Sequence, residues 1–176
     1  MDTRHILVID GHDGAGKTTI ARHVAERLGW RYVKPFQGEV SEAFYRHLAD
    51  GDFEALDAIC QADISNVLAS WEGESLVFDR HWLTMLSVLP YPLHSRWRPA
   101  PPTVLCWADP ATTMARVTAR GEERRNTLAY HQRYCGIFLD LAQRYGVPVI
   151  DTARSSPAQA AALAGTLLHD LVGGPR

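Results

Sequence analysis

The sequence predicts a single three-layer α/β domain, a central five-stranded parallel sheet with helices on both faces. Three observations predict it. Short apolar runs alternate along the chain with longer segments of helical periodicity. The runs are continuously apolar rather than alternating, as suits strands buried on both faces. The length, 176 residues, fills one core and leaves little for a second.

Taken in order, Ile6-Leu7-Val8-Ile9 is the first strand, stopped by Asp10-Gly11. A glycine-rich turn runs from Gly11 to Gly16, and from Lys17 a helix carries Ile20, Val24 and Leu28 on one face until Gly29 ends it. Tyr32-Val33 is a short second strand. Residues 39–50 and 53–70 read as helices split by Asp50-Gly51-Asp52, the second with Leu56, Ile59, Cys60, Ile64, Val67 and Leu68 at helical spacing. Leu76-Val77-Phe78 is the third strand and ends at Asp79-Arg80. The proline-rich stretch 90–102 holds five prolines and reads as a largely irregular surface loop. Thr103 to Trp107 is the fourth strand, and Asp109-Pro110 opens a helix. A charged break, Gly121 to Asn126, precedes a helix over 127–145. Val147 to Asp151 is the fifth strand, and an alanine-rich helix covers 157–171.

Composition narrows the function classes. Hydrophobic residues make up 46% and charged residues 22%, with a formal net charge of -2. That balance disfavours a nucleic-acid coat or an anionic membrane partner. No apolar stretch approaches the ~20 residues a membrane span needs. Cys60, Cys106 and Cys135 are odd in number and widely spaced, with no CxxC pair, which points to reduced thiols and a cytoplasmic location.

The most specific signal is Gly11-His12-Asp13-Gly14-Ala15-Gly16-Lys17-Thr18, which matches the phosphate-loop pattern GxxxxGK(S/T) between a buried strand and an amphipathic helix. Each residue type has a physical task. Glycines let several backbone N–H groups turn inward as an anion nest, and the helix N-terminus adds positive dipole. Lys17 is expected to reach the β- and γ-phosphates of ATP, and Thr18 to hold Mg2+. Gly11, Asp13, Gly14, Ala15, Gly16, Lys17, Thr18 and Thr19 form the expected nucleotide-binding set on a P-loop NTPase fold.

Further residues carry a resemblance to thymidylate kinases. Asp10 to Thr19 resembles the family's EGxDGAGKTT loop, and Phe78-Asp79-Arg80-His81 its DRY segment. Ala62-Asp63 resembles part of its helical AxR motif. Thr103 to Pro110 followed by Ala119 to Arg125 resembles its strand, helix and arginine-bearing lid, placed here at about 120–127. Gly146 to Asp151 resembles its closing strand. The resemblance implies that Asp13 sits near the acceptor's sugar hydroxyl and that Arg80 holds the acceptor phosphate. Asp79 then joins Thr18 in placing magnesium or the acceptor. Arg120 and Arg125 close over ATP, with one lid arginine facing the transferring phosphoryl group. Lys17, Asp79, Arg80, Arg120 and Arg125 are the expected catalytic set.

The departures are as informative. Cys60 and Ile64 stand where the family has a base-stacking phenylalanine and an arginine, and Lys34-Pro35-Phe36-Gln37-Gly38 replaces its EPGG turn. The base preference is therefore expected to differ, with Phe36, Phe44, Tyr45, Trp71 and Trp82 as alternative stacking surfaces. His12 and His81 flank the proposed site as candidate bases or donors, or as packed histidines. The expected partner is a small phosphate acceptor resembling a nucleoside monophosphate, with a homodimer as a possible assembly. A nucleoside or small hydroxyl acceptor, with Asp79 or His81 as base, is the alternative. A non-catalytic switch is disfavoured because no NKxD guanine reader occurs, and a long nucleic acid is disfavoured by the net charge.

Overall fold

The computed structural model describes residues 5–122 and 126–173, with side chains described up to residue 166. Strands β1 (Ile6–Asp10), β2 (Arg31–Val33), β3 (Leu76–Asp79), β4 (Thr103–Trp107) and β5 (Val149–Asp151) form one sheet. Its order is β2-β3-β1-β4-β5 and every neighbouring pair is parallel. The chain steps from β1 to one side, then crosses to the other after β3. Beside β1 the sheet therefore has a switch point, the place where open α/β sheets form a ligand crevice at their carboxyl edge.

Alternation along the strands divides the core in two. Leu7, Ile9, Val77, Val104 and Cys106 face helices α1 (Lys17–Leu28) and α7 (Pro157–Gly173). Val8, Leu76, Phe78 and Leu105 face the other layer, which holds α2 (Glu39–Asp50), α3 (Phe53–Ser70) and α6 (Leu128–Tyr145). Both sheet faces are dry, which is why the strands read as unbroken apolar runs.

Helix ends follow the local chemistry. Asp52 caps α3 through the Ala55 amide (3.1 Å), and Asp109 caps α5 (Pro110–Ala119) through the Thr112 amide (2.9 Å). Thr127 caps α6 by accepting from the Tyr130 amide, and glycines in the left-handed region end α1, α2 and α6. No described helix is long and apolar enough to cross a membrane.

Two elements depart from the expected order. The five residues of α4 (Trp82–Leu86) are all buried, so no polar face marks the helix in sequence. The proline-rich stretch is not mainly irregular, because Tyr91–Trp97 forms a 3-10 helix with Leu93, His94 and Trp97 buried. Buried Asp57 of α3 anchors it, accepting from Trp97 Nε1 at 2.7 Å and from Arg96 at 3.0 Å. Prolines deter an α-helix but tolerate this tighter turn, and a partner 40 residues away holds it.

Candidate active site

Gly11 to Gly16 link β1 to α1 at the carboxyl edge of the sheet, and Lys17 and Thr18 open the helix. Two glycines are demanded by their surroundings. At Gly11 (φ 145°) a Cβ would run into the Cys106 carbonyl oxygen, and at Gly14 (φ 79°) into the backbone of Thr113. The loop is thus pressed between β4 and α5. Lys17 is buried and crosses the loop to donate to the His12 carbonyl at 2.6 Å. Burial, reinforced by Arg80 and opposed by Asp13, pulls its ammonium down to about 8.

Thr18 Oγ1 donates to Asp79 Oδ2 at 2.5 Å, and Tyr32 donates its phenolic O–H to the same oxygen at 2.9 Å. Lys34 Nζ stands 4.0 Å away. Asp79 is buried, and its other oxygen, Oδ1, has no partner among the described residues. A buried carboxylate oxygen left without a donor beside a threonine hydroxyl fits a divalent cation held by Thr18 and Asp79.

Asp13 and Arg80 form an ion pair in contact, both half-buried. Burial alone would raise the Asp13 carboxyl. Arg80 and then Lys17 outweigh it and hold the group well below the usual carboxylate range. Burial would lower Arg80, but Asp13 and Asp79 push it further up, so it stays charged. Arg80 has φ 87°, a left-handed backbone that costs a non-glycine residue of order 1–3 kcal/mol. Its amide donates to the Ile9 carbonyl at 3.0 Å. The backbone thus turns sharply at the end of β3 and brings this guanidinium to the loop.

A cleft opens from this point. Its polar end holds His12, Asp13, Lys34 and Arg80, and its aromatic walls are Phe36, Phe44 and Tyr45 on one side with Tyr130, Tyr134 and Phe138 of α6 on the other. The His12 ring lies parallel to Tyr134, 6° apart with centroids at 5.7 Å. Phe36 is held at φ 62° by its amide donating to Asp63 at 2.7 Å. Cys60 and Ile64 are packed in the core and do not line this cleft, so α3 supplies a brace for Phe36 in place of a reader. Of the candidate stacking residues, Phe36, Phe44 and Tyr45 meet here. Trp82 does not, being buried with its indole N–H on Thr103 at 2.7 Å. Trp71 lies elsewhere beneath the Arg31 guanidinium. His81 is wedged edge-on against Phe78 and Trp97 and does not line the cleft either.

A second cavity lies on the far side of the loop, lined by Gly14, Gly16, Thr19, Arg116, Arg120 and Thr152 among others. Arg116 donates to the Gly14 carbonyl (3.1 Å) and to the Thr152 carbonyl (2.9 Å), tying loop, α5 and the end of β5 together. Arg120 is exposed and pairs with Glu122 at 3.1 Å. Arg125 lies outside the described residues. Tyr32, Lys34, Arg116, Tyr130 and Tyr134 escape the sequence reading. Lys34 alone carried a signal, its place just past the carboxyl end of β2.

Fold and loop together define a P-loop nucleotide-binding protein. No family model matches the chain. Over 49 residues, 28% of this chain, it is 52% identical to the cytidylate kinase of Methylococcus capsulatus. Over 65 residues, 37% of this chain, it is 38% identical to the cytidylate kinase of Bdellovibrio bacteriovorus. These matches span 19% and 26% of those proteins' lengths. In fold the chain is similar to the deoxyadenosine kinase of M. mycoides solved with bound dATP (TM-score 0.68, 17% identity, 93% of this chain and 99% of that one). It is also similar to the YorR protein of Bacillus subtilis in complex with phosphorylated GDP (TM-score 0.66, 17% identity, 97% and 99%). The likeness is to P-loop nucleoside and nucleotide kinases as a group, and thymidylate kinase is not among the proteins named here.

Proposed function

We propose that this chain is a kinase that transfers the γ-phosphoryl group of Mg-ATP to a nucleotide-like acceptor, with a nucleoside monophosphate as first choice. The observation that carries this reading is the aromatic cleft opening directly off the phosphate loop, with Asp13, Arg80 and Lys34 at the junction. A flat base suits a cleft walled by aromatic rings, and the cations suit a phosphate at the inner end.

In this reading the loop amides, the α1 N-terminus and Lys17 hold the triphosphate. Thr18 and Asp79 would hold magnesium, which would supply charge neutralisation for the phosphates. Arg80 positions the acceptor phosphate, and Asp13 both orients Arg80 and takes a hydrogen bond from the sugar. Arg116 braces the loop, while Arg120 and Arg125 cover the ATP side. Little covalent work falls to the protein, and positioning with charge neutralisation supplies the rate.

One observation favours a nucleoside as second reading. Arg80 is already engaged by Asp13, so part of its charge is spent before an acceptor arrives. A neutral hydroxyl then needs a carboxylate base. Asp79 fits that role better than His81, which is enclosed by aromatic rings.

The test is an ATP-consumption screen with Mg2+ across nucleosides, nucleoside monophosphates and small alcohols. The expected result is turnover of order 1 s⁻¹ or faster for a member of the first two classes. Consumption no faster than the acceptor-free background for every compound would remove the kinase reading.

A further inference from the structure

We infer that Tyr32 is a positioning residue for the metal centre, because its hydroxyl and that of Thr18 hold one oxygen of Asp79 and leave the other to a divalent cation. The inference rests on the reading of Thr18 and Asp79 as the magnesium-holding pair, and it names the residue that sets how Asp79 is presented.

The neighbours of Asp79 are divided unevenly between its two oxygens. Oδ2 accepts from Thr18 Oγ1 at 2.5 Å and from the Tyr32 hydroxyl at 2.9 Å. Lys34 Nζ lies 4.0 Å from the same oxygen, a charge contact too long for a hydrogen bond. Oδ1 is buried and accepts from nothing among the described residues. Each carboxylate oxygen has lone pairs to fill, so an aspartate serving only the packing of the interior would spread its donors over both. Here they gather on one, in a side chain that is 1% exposed.

Thr18 alone would not fix this division. The terminal torsion of an aspartate is broad and roughly two-fold, so a carboxylate held by one donor can turn and offer either oxygen. A second donor from another direction removes that freedom. Thr18 stands in the first turn of α1, whereas Tyr32 lies on β2, the edge strand beside β3. Tyr32 pairs with Val77, and its ring reaches along the sheet to Asp79 at the end of β3.

The ring is itself held. Arg22 follows Thr18 by four residues, on the same face of α1, and its guanidinium sits over the Tyr32 ring at 5.2 Å from the centroid. Helix α1 thus supports Asp79 twice, directly through Thr18 and indirectly through Arg22 and Tyr32. The ring also packs on the apolar layer beneath α1, a task that phenylalanine would do as well. Packing therefore accounts for the ring, and the Asp79 contact accounts for the hydroxyl.

The test compares the unmodified chain with Tyr32→Phe, which removes one oxygen and keeps the ring under Arg22. Mn2+ serves as the probe, since it shares with Mg2+ a preference for octahedral oxygen sites. It is titrated into the protein–ADP complex, and the free ion is followed by electron paramagnetic resonance. Calorimetric titration of ADP in the presence of EDTA gives the nucleotide affinity without metal. Tyr32→Phe is expected to weaken Mn2+ binding about tenfold and to leave metal-free ADP affinity within about twofold, as fits loss of a group that orients a metal ligand. Mn2+ affinity within about twofold of the unmodified chain overturns the inference and leaves the kinase reading standing. So does an equal loss of Mn2+ and metal-free ADP binding, which would assign the hydroxyl to folding. If the unmodified protein binds ADP but adds nothing to its affinity for Mn2+, the assignment of Thr18 and Asp79 to magnesium fails and this inference with it.

Discussion

The phosphate loop and the aromatic cleft meet at His12 and Asp13, yet they are held by different means. The loop is backbone architecture, eight consecutive residues in which Gly11 and Gly14 sit where side chains would strike Cys106 and Thr113. Its tolerance for change is small and its chemistry generic, since amides and a lysine grip any triphosphate. The cleft is made of side chains from the turn after β2, from α2, from the end of β3 and from α6. Its walls change by substitution without moving the backbone. The difference teaches why the loop can be recognised from a contiguous stretch of sequence while the cleft beside it cannot.

Several substitutions would break or sharpen that contrast. Lys17→Ala should cost about a thousandfold or more in kcat, because one charge-bearing donor to the transferring group is lost. Turnover within tenfold of the unmodified protein would place the chemistry outside the loop.

A second expectation concerns the junction. Burial, only partly offset by Asp13, pulls His12 down to about 3, and burial pulls His81 to about 4, both from 6.5. Below pH 6.5 the unfolded chain binds protons that these folded histidines refuse, so stability is full above that value and falls as the pH drops toward 4. Urea unfolding at pH 5 should show about 2 kcal/mol less stability per histidine than at pH 7.5. Equal stability at both values would mean that the two rings are hydrated and not packed.

Arg80→Ala should raise the acceptor KM about thirtyfold and leave the KM for ATP within about twofold, by the worth of a charge-assisted hydrogen bond. A matching rise for both substrates would move Arg80 from the cleft to the loop. Tyr134→Leu, which removes the ring parallel to His12, should weaken acceptor binding about tenfold by the usual worth of aromatic stacking on a base. An unchanged acceptor Kd would mean that the base does not lie against α6.

Legibility followed the same division. Five parallel strands, the phosphate loop and most helices could be read because each rests on contiguous signals such as a buried run, a glycine pattern or a cap. The short α4 escaped because it is apolar all round, and the 3-10 turn at Tyr91–Trp97 because its anchor, Asp57, lies far back in the chain. Trp71 and Trp82 had the right chemistry for stacking but went elsewhere, one to the surface under Arg31 and one to the core. Tyr130 and Tyr134 lie four residues apart on α6, so their shared face was readable, but which cleft that face meets was not.

By itself the sequence determined a parallel α/β sheet and a glycine-rich phosphate loop, because amide nests, helix dipoles and buried strands depend on neighbours along the chain. Only the tertiary structure decided that Asp13 holds Arg80, that Thr18 meets Asp79, and that His12 meets His131. Those contacts join residues tens of positions apart. Hydrogen-bond polarity and charge pairing are properties of what lies across the gap, which no local pattern records.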